Sequence, residues 1–219
     1  MRDVLIGIDP SFETAGVAIY TPEDKRLVLH GGDIFSCVDF LNKSGILHRA
    51  IVILEDPGLN SNIYGTWFQM KTSVELYRTG KVGLHNPQGK RSAPWSDGKD
   101  RSVQAVFGGL MKQAKNIGQS VASAWMFYEL ISRAGVPVAR IAPSDRHRAD
   151  KEILKGNGPK GIHLLSMPTK TTSVQFQALT GYTGRSNEHT RDAATLVFGM
   201  TIPRAKMLAK TQESEIPFD

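Results

Sequence analysis

The sequence predicts an α/β protein built on a five-stranded mixed sheet, three antiparallel strands and then two parallel strands, flanked by helices. Three observations support this fold class. Short apolar runs separated by turns open the chain. Further apolar runs then alternate with segments of helical spacing. Residues 51–54, Ile-Val-Ile-Leu, are apolar throughout, which is typical of a central parallel strand covered on both faces.

The first elements are predicted to form an antiparallel meander. Val4–Ile8 is a short apolar strand, Ala15–Tyr20 follows after a turn, and Lys25–His30 makes the third strand. Short connections of this kind favour pairing between consecutive strands. Residues 36–48 then have helical spacing and lead into the fourth strand at 51–54.

The second half of the chain supplies the remaining strand and most of the helices. A long helix is predicted over 107–134 and the fifth strand over 136–141. Capping residues then start three further helices, at Pro143-Ser144-Asp145, at Thr171 or Thr172 through Leu179, and at Asn187 through about Met200. We expect a single domain over 1–210, with an irregular insertion at 57–106 and an acidic tail at 211–219.

Composition excludes several classes of protein. With 219 residues, 40% hydrophobic and 22% charged, the chain has the composition of a folded protein with a sizeable core. No apolar run approaches the roughly 20 residues of a membrane helix, and no signal peptide precedes the first strand, so we expect a cytoplasmic protein. The single cysteine, Cys37, permits no internal disulfide and is expected to be a small buried residue.

The net charge of +6 is unevenly distributed. Residues 1–70 carry a net charge of −4, whereas residues 71–115 carry +6 and residues 140–170 carry +4. An acidic segment followed by basic ones indicates a polyanion-binding surface beside a carboxylate site, although solvated lysines would give the same totals.

Four residues form a candidate acidic site. Asp9 and Glu55 end the first and fourth strands, and polar groups at the carboxyl ends of neighbouring strands line the functional crevice of α/β sheets. His189 and Asp192 are three residues apart and share a helix face. Such carboxylates suit Mg²⁺ or Mn²⁺, and two such ions per site support phosphodiester hydrolysis, in which the histidine binds an ion or handles a proton.

Each of these residues also has a structural interpretation. Asp9, followed by Pro10, resembles a simple turn former, and His189 with Asp192 resembles a pair at a helix start. Glu55 is harder to explain structurally, because a glutamate that closes an apolar strand needs a partner. Asp56 is expected to point to the other face and to have a structural role.

The insertion combines aromatic and basic residues. Tyr64, Trp67, Phe68 and Trp95 lie among cations that include Lys90 and Arg91, a mixture that suits unstacked bases and phosphates. The alternative is that the aromatic residues form a small core beneath the insertion.

Several motifs together resemble a known family. They are Ile6-Gly7-Ile8-Asp9-Pro10-Ser11, Gly16-Val17-Ala18-Ile19, the strand end at Glu55, Val138 to Ser144, and His189-x-x-Asp192-Ala193-Ala194. Over residues 1–56 and about 118–200, the chain resembles the RuvC-type Holliday-junction resolvases of the ribonuclease H-like superfamily. Their four metal-binding positions match Asp9, Glu55, His189 and Asp192.

The resemblance implies a crossover junction endodeoxyribonuclease that acts on branched DNA as a homodimer with Mg²⁺ or Mn²⁺ and no nucleotide cofactor. It also implies DNA contacts from basic residues after the fifth strand, for which the candidates are Arg148, Lys151, Lys155, Lys160 and Lys170. The insertion at 57–106 departs from the family's shorter connection. The insertion and segment 169–185 look more like those of phage-encoded members. We therefore expect the protein to act in a bacterial or phage-infected cell.

Three alternatives stay open at this point. The Gly-Ile-Asp and Gly-Val-Ala-Ile-Tyr segments also occur in actin- and Hsp70-like ATPases, but those need a second related domain and a second phosphate loop. A nuclease for other branched DNA or for RNA–DNA hybrids would carry the same residues. A non-catalytic nucleic-acid-binding module would retain the fold but has no need of all four candidate ligands.

Overall fold

The structure, a computed structural model, describes residues 2–59, 103–143 and 170–213. The chain divides into two compact units, residues 1–59 with 119–219, and residues 60–118. Several predictions lie outside the described residues, among them the helix expected to begin at Pro143-Ser144-Asp145. The candidate nucleic-acid contacts outside the described ranges are Tyr64, Trp67, Phe68, Lys90, Arg91, Trp95, Arg148, Lys151, Lys155 and Lys160.

The predicted sheet is confirmed. Its strands are β1 (Val4–Asp9), β2 (Ala15–Thr21), β3 (Arg26–Gly32), β4 (Ala50–Glu55) and β5 (Val138–Ile141). Their spatial order is β3-β2-β1-β4-β5. The β1–β2 and β2–β3 pairs are antiparallel, whereas β4 runs parallel to both β1 and β5. This is the ribonuclease H-like topology.

Five described helices flank the sheet. They are α1 (Ile34–Ser44), α2 (Val103–Arg133), α3 (Ser173–Thr180), α4 (Glu188–Thr195) and α5 (Ile202–Glu213). Capping boxes at Thr172 and Asn187 start α3 and α4, as the sequence predicts. Helix α1 begins and ends earlier than expected, because Asp33 caps its start and Gly45, at φ 65°, ends it.

The last predicted helix is wrong in its extent. Helix α4 ends at Thr195 rather than near Met200, and the turn that follows includes Gly199 at φ 77°, a conformation that favours glycine. A further helix, α5, then runs to Glu213, into the segment expected to be a tail. None of the described helices is both long enough and apolar enough to cross a membrane.

Apolar residues cover both faces of the central strands. On one face, Leu5 and Ile53 pack in a cluster with Phe176 of α3 and residues of α4 and α5. On the other face, Ile6 lies in a cluster that includes Phe127 of α2. Cys37 of α1 is buried in this second cluster, as predicted. The two-sided burial explains why β4 is apolar throughout.

Two glycines let α4 lie directly on the sheet. A Cβ atom on Gly7 would be 2.0 Å from the carbonyl oxygen of Ala193, and one on Gly16 would be 2.1 Å from the carbonyl oxygen of His189. Any side chain at either position would therefore clash with the helix backbone. These two residues set the distance between α4 and strands β1 and β2.

Candidate active site

The site begins at the carboxyl ends of β1 and β4. Asp9 and Glu55 are the last residues of these two strands. The strands are parallel neighbours in which Ile8 is paired with Leu54, so the two carboxylates follow at the same edge of the sheet. The first and fourth strands are therefore neighbours, which is the condition for Asp9 and Glu55 to lie side by side.

Helix α4 brings the other two candidates to this edge. His189 and Asp192 lie in its first two turns, and the approach at Gly16 places the His189 backbone against β2. All four candidates line one cavity of about 240 Å³. The residues around the cavity are Asp9, Pro10, Ser11, Glu55, Pro57, Ser120, Pro143, Lys170, His189 and Asp192.

Asp9 and His189 are directly bonded. The Nδ1 atom of His189 lies 2.9 Å from Oδ2 of Asp9, with side chains that are 36% and 15% exposed. The hydrogen bond to Asp9 raises the pKa of His189 above its ordinary value, although partial burial opposes this effect. The imidazole is therefore a stronger proton acceptor than a free histidine.

Asp192 is held by both the backbone and the side chain of Lys170. Its carboxylate is buried, accepting the Lys170 backbone N–H at Oδ1 over 3.2 Å and lying 3.1 Å from the ammonium at Oδ2. The same ammonium donates to Glu188. Burial alone would lower the pKa of Lys170, but the hydrogen bonds to Glu188 and Asp192 raise it, and the contact with Lys170 lowers the pKa of Glu188.

The neighbouring residues Glu55 and Asp56 have different surroundings. Glu55 faces the cavity, and its Oε2 atom is buried. Asp56 instead accepts Nε of Arg140 at 2.7 Å and the backbone N–H of Gly58 at 2.7 Å. The Arg140 guanidinium also lies 5.3 Å from the ring centroid of Tyr128. The predicted structural role of Asp56 is thus confirmed, and its ion pair joins the ends of β4 and β5.

Four side chains around the cavity are of types that bind divalent cations. Three carboxylates and an imidazole are ligands that Mg²⁺ and Mn²⁺ accept, and the Lys170 ammonium already shows that a cation is held against Asp192. Within the described ranges, no three His, Cys, Asp or Glu side chains are grouped closely enough to hold a metal ion. Three of the four candidates are instead held in pairs, Asp9 with His189 and Asp192 with Lys170.

Sequence reasoning missed three features of the site. It assigned Lys170 to DNA contacts only, and the contact with Asp192 has no local signal because 22 residues separate the two. The role of Gly7 and Gly16 had a signal, since glycine inside a strand often marks a close backbone approach. The bond between Arg140 and Asp56 spans 84 residues and also has no local signal.

Two solved structures have a low similarity to this chain. The chain is similar to the structure of T. thermophilus RuvC in complex with a Holliday junction substrate, with a TM-score of 0.38 and 12% identity, covering 97% of this chain and 98% of that chain. It is also similar to another structure of Thermus thermophilus RuvC, with a TM-score of 0.39, 13% identity and 96% of each chain covered. No protein-family model and no curated protein matches the sequence.

Proposed function

We propose that this chain is a structure-specific endodeoxyribonuclease that hydrolyses phosphodiesters in four-way DNA junctions with Mg²⁺ or Mn²⁺. One observation carries the proposal: Asp9, Glu55, His189 and Asp192, from three elements far apart in the sequence, line the same cavity. A structural explanation of each residue alone does not account for their convergence. The motif resemblance to RuvC-type resolvases supplies the substrate class.

The residues divide the chemistry between them. Asp9, Glu55 and Asp192 would hold the divalent cations, and His189 would either add a further ligand or handle a proton. The positive charge of the cations would stabilise the developing negative charge of the attacked phosphate. The imidazole of His189 can accept a proton, and the carboxylate of Asp9 at 2.9 Å orients the ring and stabilises its charged form. Burial of Asp192 keeps water from competing for its oxygen atoms.

Basic residues would hold the nucleic acid. Lys170, whose side chain is 60% exposed, lines the cavity, and the composition of segments 71–115 and 140–170 makes them further candidates for phosphate contacts. We propose that residues 1–210 act as a single nuclease domain with the insertion at 57–106. We also propose that two copies form a homodimer, because two sites related by a two-fold axis are needed to cut two strands of a symmetric junction.

A cleavage panel tests this function. Purified protein is incubated with labelled four-way junction, flap, linear duplex and RNA–DNA hybrid in Mg²⁺, in Mn²⁺ and in EDTA. We expect cleavage of the junction that requires metal, with paired cuts in opposing strands. Preferred cleavage of the flap or the hybrid would show that the same site serves a nuclease with a different substrate. Binding without any cleavage would indicate a non-catalytic nucleic-acid-binding module.

Matched substitutions then separate the site from the fold. Asp9→Asn is expected to abolish cleavage while junction binding persists, because the carboxylate is lost with little change in shape. Asp39→Asn is the control, since Asp39 lies on the surface of α1 in a pair with Lys43 at 2.6 Å. Normal cleavage by Asp9→Asn would refute the assignment of the site.

A further inference from the structure

Lys170 has an unusual backbone conformation beside the cavity. Its φ is 56°, in the left-handed region that residues other than glycine rarely adopt, and Lys25 is the only other such residue among those described. Lys25 lies in the exposed turn between β2 and β3, whereas Lys170 faces Asp192. The conformation at Lys170 therefore needs a local explanation.

Contacts on both sides of Lys170 hold this conformation. The Lys170 backbone N–H donates to Asp192, and the next carbonyl, that of Thr171, accepts Nε of Arg191 at 2.8 Å. Thr172 then caps α3 in a capping box. Segment 170–172 is thus attached to α4 at two consecutive residues, which directs the Lys170 side chain along the cavity wall.

The consequence is that one residue bonds to both oxygen atoms of Asp192. The amide approaches Oδ1 and the ammonium approaches Oδ2, while Glu188 holds the same ammonium from its other side. The Asp192 side chain is 4% exposed, whereas that of Lys170 is 60% exposed. The ammonium therefore supplies positive charge to a buried carboxylate but can leave it for solvent without disturbing the backbone contact.

We propose that Lys170 is a built-in counter-cation of the candidate metal site, which neutralises Asp192 in the metal-free protein and is displaced from it when a divalent cation binds. Lys170 is thus a positioning residue for Asp192. Its backbone amide fixes Oδ1 of the carboxylate, and its ammonium occupies Oδ2 until a divalent cation binds there. The inference rests on the proposed function, because it requires that Asp192 be a metal ligand. The physical reason for displacement is that an ammonium and a divalent cation repel each other when both approach the same carboxylate.

Titration calorimetry with Mn²⁺ and thermal unfolding test the inference on the full chain. Lys170→Gln removes the competing charge and is expected to bind Mn²⁺ about tenfold more tightly than the original protein, as for loss of one charge-assisted hydrogen bond. In EDTA the same variant is expected to unfold at a lower temperature, because a buried carboxylate loses its counter-charge. In saturating Mn²⁺ the two unfolding temperatures are expected to converge.

Lys25→Gln is the matched control, since it makes the same chemical change at the other left-handed lysine. It is expected to leave Mn²⁺ affinity unchanged. Equal Mn²⁺ affinity in Lys170→Gln and the original protein would overturn the inference, as would a stability deficit that persists in saturating Mn²⁺, because the ammonium would then remain on Asp192. If neither the original protein nor Lys170→Gln binds Mn²⁺, the proposed metal site itself fails.

Discussion

Replacing Gly16 with alanine is expected to displace α4 and with it half of the candidate site. The added Cβ would lie 2.1 Å from the carbonyl oxygen of His189, 2.3 Å from its carbonyl carbon and 2.6 Å from the Thr190 nitrogen. Ordinary contact begins at 3.4 Å, so the helix must retreat by about 1.3 Å. All three nearby atoms belong to the backbone, and no side-chain rotation can relieve the clash.

The size of the effect follows from this displacement. Overpacking of a close-packed interior costs about 1–3 kcal/mol of unfolding free energy. A shift of about 1 Å in catalytic groups lowers activity by about 10²-fold. Gly16→Ala is therefore expected to remain folded at moderate temperature but to cleave junctions about 10²-fold more slowly and to bind Mn²⁺ more weakly.

Urea unfolding, junction cleavage and Mn²⁺ calorimetry measure the three effects. Gly118→Ala is the control, because nothing lies within 4 Å of a Cβ at that exposed position in α2. Alanine in a helix interior is expected to stabilise the control by about 0.5–1 kcal/mol. Unchanged stability and cleavage in Gly16→Ala would show that α4 does not depend on this glycine for its position.

Three further predictions concern buried or titrating groups. Arg140→Met is expected to lower the unfolding free energy in urea by about 3 kcal/mol, because the buried Asp56 carboxylate loses its cationic partner. A second change, Asp56→Asn, should recover part of the loss, and no loss in the single variant would contradict the ion-pair argument. The hydrogen bond to Asp9 raises the pKa of His189, so the stabilisation from this pair is complete below pH 6.5, the ordinary pKa of histidine, and is lost as the pH rises through the higher pKa of the folded state. Unfolding free energies measured in EDTA over this pH range should show the loss, and His189→Gln should remove the pH dependence. Burial raises the pKa of Cys37 to about 11, so a thiol reagent at neutral pH should label this residue only as fast as the protein unfolds. Immediate labelling of the folded chain would show that the thiol is accessible.

Much of the sheet and part of the site could be predicted because their signals are local. Apolar runs and turn residues identified five strands, and the position of Asp9 and Glu55 after two of them placed both carboxylates at one edge. Helix ends were less predictable. The predicted helix at Asn187 extended too far, because buried residues continue past Thr195 while the backbone has already left the helix.

The amino-acid sequence by itself predicted the order of the five strands and the four candidate site residues, since both depend on residue type and short spacing. Tertiary structure decided how closely those residues approach and what they contact. Gly16 sets the height of α4 above the sheet, and Lys170 reaches Asp192 across 22 residues of chain. The physical reason is that close approach and charge pairing depend on which backbone segments are neighbours in the folded protein. The periodicity of residues along the chain does not identify those neighbours.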